Sequence, residues 1–129
     1  MSHQDPIANM LTSLRNAVIA RIRFVDLSLT KLNHQILKVL EGQGFVEHIL
    51  VDEKKRRMRV FLKYDGREPL MQGLKRISKP SLRKYIPMEK IPKLFGGLGT
   101  VVLSTSQGVI DGESARLKGI GGELLCYVW

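Results

Sequence analysis

The chain has 129 residues, with 21 Lys and Arg side chains against 12 Asp and Glu, so its formal charge is +9 and its pI about 10.0. Hydrophobic residues make up 43% and charged residues 26%, which is typical of a globular protein rather than a disordered one. No stretch approaches the roughly 18 apolar residues of a membrane span, the opening residues lack the pattern of a secretory signal, and a single cysteine excludes an internal disulfide. The composition therefore predicts a soluble, cationic protein of a reducing compartment, whose natural partner is a polyanion.

The first half of the chain predicts two amphipathic helices and three strands. Asp5 followed by Pro6 is typical of a helix start, because the carboxylate accepts from free N–H groups and proline gives up an N–H that has no partner. Apolar residues then recur with helical spacing through Val18. A second helix is predicted after Thr30, ending at a pair of glycines. Strands are predicted at residues 22–25, 45–51 and 57–64.

The second half is expected to be mostly strand and turn. Strands are predicted at residues 74–78 and 82–86 around a turn at 79–81, and again at 100–103, 109–110 and 124–129. A helical turn is predicted at residues 91–95, and Asp111 is expected to cap a short helix through Leu117. The polar residues 65–69 are the best linker candidate, so domains are predicted at 1–66 and 67–129. The predicted fold class is α+β, with N-terminal helices packed on a small sheet and a C-terminal, mostly β lobe with a short helix.

Residue types that carry catalysis or bind metal ions show no recognisable pattern. The hydroxyl residues 104–106 have no histidine nearby, no pair of carboxylates stands out, and three histidines and one cysteine lack the spacing of a zinc site. The glycine groups at 96–99 and 119–122 match no nucleotide-binding motif, so tight turns are favoured over phosphate-binding nests. Cys126 is expected to be buried and inert. No enzymatic activity, cofactor, metal ion or small-molecule substrate is predicted.

Two features indicate RNA instead. Between residues 75 and 93, seven basic side chains face a single acid, Glu89, which suits phosphate, although a solvated lysine-rich surface has the same composition. The Ser-Thr-Ser-Gln-Gly run at residues 104–108 offers groups that donate and accept, as the ribose 2′-OH and the base edges in the RNA minor groove require. On its own, this run is more typical of a Ser/Thr turn that satisfies its own backbone.

Several motifs resemble one family, in order and along the whole chain. With x for a position that does not match, they are QDPIAxMLTxxRN at residues 4–16, LKRISKP at 74–80, LRxY at 82–85, IPK at 91–93, LSTSxGV at 103–109 and GxGGELLCYVW at 119–129. These motifs closely resemble the bacterial-type eighth protein of the small ribosomal subunit. The resemblance implies a two-domain RNA-binding protein without enzymatic activity that binds the central domain of small-subunit rRNA early in assembly, beside neighbouring small-subunit proteins. It places the protein on the ribosome, in the bacterial cytoplasm or the plastid stroma, and adds a role that occurs in part of the family: repression of its own operon through an mRNA hairpin.

The resemblance also implies which residues contact RNA. The site comprises Ser104, Thr105, Ser106 and Gly108, with Tyr85 and Glu123 as supporting neighbours, and Lys79, Arg83, Arg15, Asn9 and Ser13 at phosphate or sugar. Glu123 is the unusual member of this set, because a carboxylate beside RNA is repulsive unless it accepts from a base amino group or orders the loop. Thr105→Val is expected to weaken binding of the cognate rRNA helix while leaving thermal stability nearly unchanged.

The chain departs from the family pattern at two points. Asp111-Gly112-Glu113-Ser114 replaces the Thr-Asp-Arg-Glu that commonly forms a capping box, so a softer helix start is expected. Gln107 stands where bacterial relatives often have Lys and, with residues 115–122, resembles plastid versions. The alternative function is a regulatory module that binds mRNA or DNA outside the ribosome, which for DNA requires a recognition helix rich in Arg, Asn and Gln.

Overall fold

The structure, a computed structural model, describes residues 5–129, so Gln4 of the N-terminal motif lies outside it. The chain divides into two compact units, Met1–Gly73 and Leu74–Trp129. Across residues 5–129, three α-helices combine with antiparallel sheets, which confirms the predicted α+β class. No helix in this range is long and apolar enough to cross a membrane.

The first unit packs two helices with a three-stranded sheet. Its helices are α1 (Pro6–Ala20) and α2 (Lys31–Gly42), and its sheet strands are β1 (Phe24–Ser28), β2 (Val46–Asp52) and β3 (Arg57–Leu62). The strands are antiparallel in the order β1–β3–β2. A short hairpin follows, formed by β4 (Tyr64–Asp65) and β5 (Glu68–Pro69), and the domain boundary predicted after Gly66 falls in its turn. Met58, Val60 and Leu62 are buried, as their alternation along β3 predicts.

Both helices of the first unit begin at the predicted residues. The Asp5 carboxylate accepts a hydrogen bond from the Ala8 N–H at 3.3 Å, and Pro6 is the first helical residue. The Thr30 hydroxyl accepts from the Asn33 N–H at 3.1 Å. Each cap satisfies an N–H group that has no partner within the helix, which is the physical reason for the predicted starts.

The first strand begins later than predicted. Arg21 has a left-handed backbone conformation (φ 55°), and the Ile22 N–H donates to the Ala17 carbonyl at 2.9 Å. Residues 21 and 22 therefore close α1 rather than open a strand. The strand starts at Phe24, whose register partner in β3 is Phe61.

The second unit is a sheet with one short helix. Its elements are β6 (Leu74–Arg76), β7 (Tyr85–Ile86), two 3₁₀ turns (Met88–Lys90 and Leu94–Gly97), β8 (Thr100–Thr105), β9 (Gly108–Asp111), α3 (Gly112–Lys118) and β10 (Gly122–Val128). The antiparallel order is β6–β10–β8–β9, and β7 also pairs with β10. The apolar C-terminal run is thus paired in the sheet, as predicted.

Two predictions for the second unit are wrong in detail. The strands expected on either side of residues 79–81 do not form a hairpin with each other, because β6 and β7 both pair with β10 and only an isolated bridge joins Lys79 and Leu82. The helical turn expected at residues 91–95 does not form over those residues, and two 3₁₀ turns lie on either side of residues 91–93 instead. Ile91 is extended between the two 3₁₀ turns because its side chain is buried in the core against Val101 and Leu103.

The helix α3 has the predicted cap and a close contact with the core. The Asp111 carboxylate accepts from the Ser114 N–H at 3.1 Å and from the Ser114 hydroxyl at 2.6 Å. A Cβ atom on Gly112 would lie 3.0 Å from Cγ2 of Ile91 and 3.2 Å from Cβ of Val101. Gly112 lowers helix propensity, but its lack of a side chain lets the first turn of α3 approach the sheet.

The single cysteine lies in the interior of the second unit. Cys126 is fully buried in β10, and this burial raises the pKa of its thiol to about 12. The thiol therefore keeps its proton at neutral pH, in agreement with the predicted inert role. Within residues 5–129, no group of three or more His, Cys, Asp or Glu side chains is placed to hold a metal ion.

Candidate nucleic-acid interface

The residues predicted to contact RNA at positions 104–108 form a tight hairpin turn rather than a loop. β8 continues through Thr105, which pairs with Gly108, so only Ser106 and Gln107 lie outside the strands. The Thr105 hydroxyl accepts from the Gln107 N–H at 3.1 Å and donates to the Gly108 carbonyl at 2.8 Å. Gly108 has φ of 105°, a conformation that favours glycine. The Thr105 hydroxyl therefore closes the turn and keeps one lone pair for an incoming donor.

The two serines beside Thr105 have free hydroxyl groups. Ser106 is exposed and Ser104 is half-buried. In the part of the chain that the structure describes, neither hydroxyl has a hydrogen-bond partner. Each hydroxyl can both donate a hydrogen bond to a ligand and accept one from it. These two side chains therefore provide the polar groups of the turn that are available for binding.

Ser104 belongs to a row of polar side chains that crosses three strands. Glu123 of β10 pairs with Ser104 of β8 on one side and with Tyr85 of β7 on the other. Side chains at paired positions of antiparallel strands project to the same face. The structure therefore brings together three residues that lie far apart in the sequence, and Tyr85 is the most exposed of them at 67%.

The predicted phosphate contacts Lys79 and Arg83 lie on a loop that Ser78 holds against β10. The buried Ser78 hydroxyl accepts from the Lys84 N–H at 2.8 Å, and the Ser78 N–H donates to the Leu124 carbonyl at 3.1 Å. The Lys84 carbonyl accepts in turn from the Leu124 N–H at 2.8 Å. These bonds fix both ends of residues 79–83, which we call the basic loop, next to the polar row.

Arg83 forms an ion pair with Glu123. Its Nη1 lies 3.6 Å from Oε1 of Glu123, and the Glu123 side chain is only 14% exposed whereas that of Arg83 is 57% exposed. The ion pair offsets the negative charge of Glu123, and the exposed part of the guanidinium remains available for a ligand. Lys79 is exposed and forms no ion pair with any residue that the structure describes.

Two glycines bring these elements together, and sequence analysis missed their role. A Cβ atom on Gly122 would lie 2.3 Å from the Ser104 carbonyl oxygen, and one on Gly121 would lie 2.3 Å from the Ile86 carbonyl oxygen. The start of β10 therefore fits between β7 and β8 only without side chains. Of the same glycine group, Gly119 ends α3 in a left-handed conformation, which is the turn function that was predicted.

The predicted N-terminal contacts lie on α1 in the first unit. Asn9 and Ser13 line one groove of about 270 Å³, together with Thr30 and Arg57. Arg15 does not line this groove, because it follows Ser13 by two residues and so lies about 200° further around the helix. The structure thus brings Asn9 and Ser13 together and adds Arg57, a cation that sequence analysis did not select.

Comparison with known proteins identifies the family. The model of the family described as "Ribosomal protein S8" matches residues 5–129. The chain is 53% identical to the small ribosomal subunit protein uS8 of Chlamydia abortus and 54% identical to that of Chlamydia pneumoniae, in each case over 97% of this chain and 96% of the relative. It is 50% identical to the uS8 protein of Protochlamydia amoebophila over 97% of both chains. The chain therefore belongs to the ribosomal protein S8 family.

Proposed function

We propose that the chain is a structural constituent of the small ribosomal subunit and binds its rRNA through one surface of the second unit. This surface, which we call the C-terminal surface, consists of Lys79, Arg83, Tyr85, Ser104, Thr105, Ser106 and Glu123. The main observation behind the proposal is the strand pairing, in which Glu123 is the partner of both Tyr85 and Ser104. This pairing brings hydroxyl groups without hydrogen-bond partners next to the cations of the basic loop. Family membership supports the same function.

The cations and the hydroxyl groups on this surface contribute to RNA binding in different ways. Cations attract phosphate without regard to sequence and account for the salt dependence of binding. Hydroxyl groups act only at contact, where they hydrogen-bond to ribose 2′-OH groups and to base edges in the shallow minor groove. The C-terminal surface therefore combines affinity for RNA with recognition of one RNA shape.

The binding site on the rRNA is the central domain of the small-subunit RNA, where the protein supports early assembly beside neighbouring small-subunit proteins. An mRNA hairpin of the same shape binds the same surface, which provides the route to repression of the protein's own synthesis. The named relatives are bacterial, which favours a bacterial ribosome over a plastid one. The protein has no enzymatic role in this function.

Sedimentation of a tagged chain from cell extract tests the proposal. We expect the protein to migrate with the small ribosomal subunit after a high-salt wash, because contacts at the hydroxyl groups survive screening of the phosphate contacts. A matched binding assay compares a central-domain rRNA helix, a scrambled RNA helix and duplex DNA at equal salt. A protein found only in the free pool, or equal affinity for all three nucleic acids, would contradict the proposal.

The basic loop gives a second prediction, in which Lys79 and Arg83 behave differently. Lys79→Gln should weaken binding of cognate and scrambled RNA alike and reduce the salt slope by about 0.9, as expected for one lost phosphate contact on a duplex. Arg83→Gln should weaken binding further, because it also leaves the Glu123 carboxylate unpaired beside RNA. The double variant Arg83→Gln with Glu123→Gln should then recover about two- to fivefold in affinity, the range of an exposed ion pair.

Titration of RNA binding over ionic strength measures both effects. The control is Lys118→Gln on α3, a cation outside the C-terminal surface, which should leave the salt slope unchanged. An unchanged slope for Lys79→Gln would show that this side chain is only solvated, and equal affinities for the single and double variants would rule out the role given to the Arg83–Glu123 pair.

A further inference from the structure

The sheet of the first unit carries a row of three rings on one face. Phe24 of β1 and His48 of β2 are both register partners of Phe61 in the central strand β3. The ring centroids of Phe24 and Phe61 are 5.7 Å apart, and those of His48 and Phe61 are 5.9 Å apart. These positions alternate with the buried residues of β3, so the rings occupy the opposite face. His48 is exposed, Phe24 is 39% exposed and Phe61 is half-buried.

Next to the three rings on the same face, Arg59 of β3 packs against the ring of Phe24. The guanidinium of Arg59 lies 4.2 Å from the centroid of Phe24. Asp26 holds it there through two hydrogen bonds of 2.8 and 3.1 Å. Because both side chains are nearly half exposed, the guanidinium is a flat group presented to solvent beside the ring row. Bases stack on arginine planes as well as on aromatic rings.

Cations continue from this face into the turn between β2 and β3. Five basic side chains face two acidic ones between residues 52 and 59. Lys54, Lys55 and Arg56 are exposed and form no ion pair with a residue that the structure describes. A groove of about 370 Å³ is lined by three cations, Lys55, Arg57 and Arg59, and by two carboxylates, Asp26 and Asp52. It joins the arginine beside the rings to the cationic turn.

We propose that this face of the first unit, the ring face, binds a short single-stranded segment of RNA. Its residues are Phe24, His48, Phe61, Asp26 and Arg59, with Lys54, Lys55 and Arg56 at its end. Successive bases stack on Phe61, His48 and the Arg59–Phe24 pair, and the phosphates follow the groove to the cationic turn. Stacking on rings combined with a basic groove is the general means by which proteins hold single strands without reading their sequence.

The composition of the face favours RNA over a protein partner. The nine register positions of this face are Phe24, Asp26, Ser28, His48, Leu50, Asp52, Arg57, Arg59 and Phe61. Leu50 is the one aliphatic side chain among them, whereas an apolar protein partner requires a continuous aliphatic and aromatic patch. The excess of unpaired cations at the end of the face complements phosphate.

This inference goes beyond the proposed function, because it concerns a different unit of the chain and a different form of RNA. The probe is a single-stranded oligoadenylate of about eight nucleotides with a central 2-aminopurine, titrated with the full chain. We expect binding with quenching of the 2-aminopurine fluorescence, since the base stacks on a ring. Phe61→Leu keeps an apolar side chain in the strand but removes the ring, and should weaken binding about 5- to 150-fold.

Two further variants keep the test decisive. Ile19→Ala removes an exposed apolar group of α1, outside the ring face, and should leave affinity within about twofold. His48→Ala lies at an exposed edge position, so it tests the ring row without disturbing the core if Phe61→Leu fails to fold by circular dichroism. Binding of the central-domain rRNA helix should be unchanged in all three variants, which separates this inference from the proposed function.

Three results would overturn the inference. They are the absence of oligoadenylate binding by the unaltered chain, unchanged affinity in both folded ring variants, and an equal loss in Ile19→Ala and the ring variants. The last result would show that the loss of affinity does not come from lost stacking on the rings.

Discussion

Gly122→Ala is expected to lower the free energy of unfolding by about 1–3 kcal/mol and the melting temperature by roughly 4–12 °C. The new methyl group would lie 2.3 Å from the Ser104 carbonyl oxygen and 3.0 Å from Cγ2 of Thr105. Since the first of these is a backbone atom, β8 and β10 must move apart to relieve the contact. The movement separates Ser104 from Glu123, so affinity for the cognate rRNA helix should fall together with stability.

Gly42→Ala is the matched control for this prediction. Gly42 ends α2, has an ordinary backbone conformation, and has nothing within 4 Å of the position that a Cβ would take. Alanine should therefore be neutral or stabilise by up to about 1 kcal/mol, because it restricts the unfolded chain and favours helix. Thermal unfolding of the two variants under identical conditions measures both effects. A Gly122→Ala protein as stable as the unaltered chain would show that the strands tolerate the side chain.

The elements whose signals are local could be predicted from the sequence. The starts of α1, α2 and α3 depend on Asp5, Thr30 and Asp111, each of which caps a helix through an N–H three residues later. Such bonds need no information about the rest of the fold. The alternation that buries Met58 and Val60 is local in the same sense.

Features that depend on long-range pairing could not be predicted from the residues alone. The short separation of β6 and β7 in sequence predicts a hairpin, yet β10 pairs with both. The same strand creates the Arg83–Glu123 ion pair and leaves no room for a side chain at Gly122. No local pattern marks these contacts. In the candidate site, the resemblance to a family selected the residues, and the neighbours that explain Glu123 become visible only in three dimensions.

Thr105 illustrates how the structure changes an expectation. From the sequence alone, Thr105→Val is predicted to leave stability nearly unchanged, but the hydroxyl makes two hydrogen bonds that close the turn to Gln107 and Gly108. Valine keeps the branched shape and removes both bonds. We therefore expect a loss of about 0.5–1.5 kcal/mol in the free energy of unfolding, because the turn is partly exposed and water replaces part of what is lost.

The expected effect of Thr105→Val on RNA is larger than its effect on stability. We expect affinity for the cognate rRNA helix to fall about ten- to a hundredfold, because the variant removes an acceptor and also loosens the turn that positions the hydroxyl groups of Ser104 and Ser106. Affinity for scrambled RNA and the salt slope should not change, since no charge is lost.

Ser106→Ala separates recognition of RNA from closure of the turn. Ser106 is exposed and its hydroxyl has no partner among the described residues, so stability should stay within about 0.5 kcal/mol of the unaltered chain. Affinity for the cognate helix should still fall about two- to tenfold, the value of one neutral hydrogen bond. Binding at matched salt, with thermal unfolding of each variant, measures the two effects independently. If Ser106→Ala binds the cognate helix normally and Thr105→Val loses affinity equally for cognate and scrambled RNA, the turn serves only to connect two strands and specificity lies elsewhere on the protein.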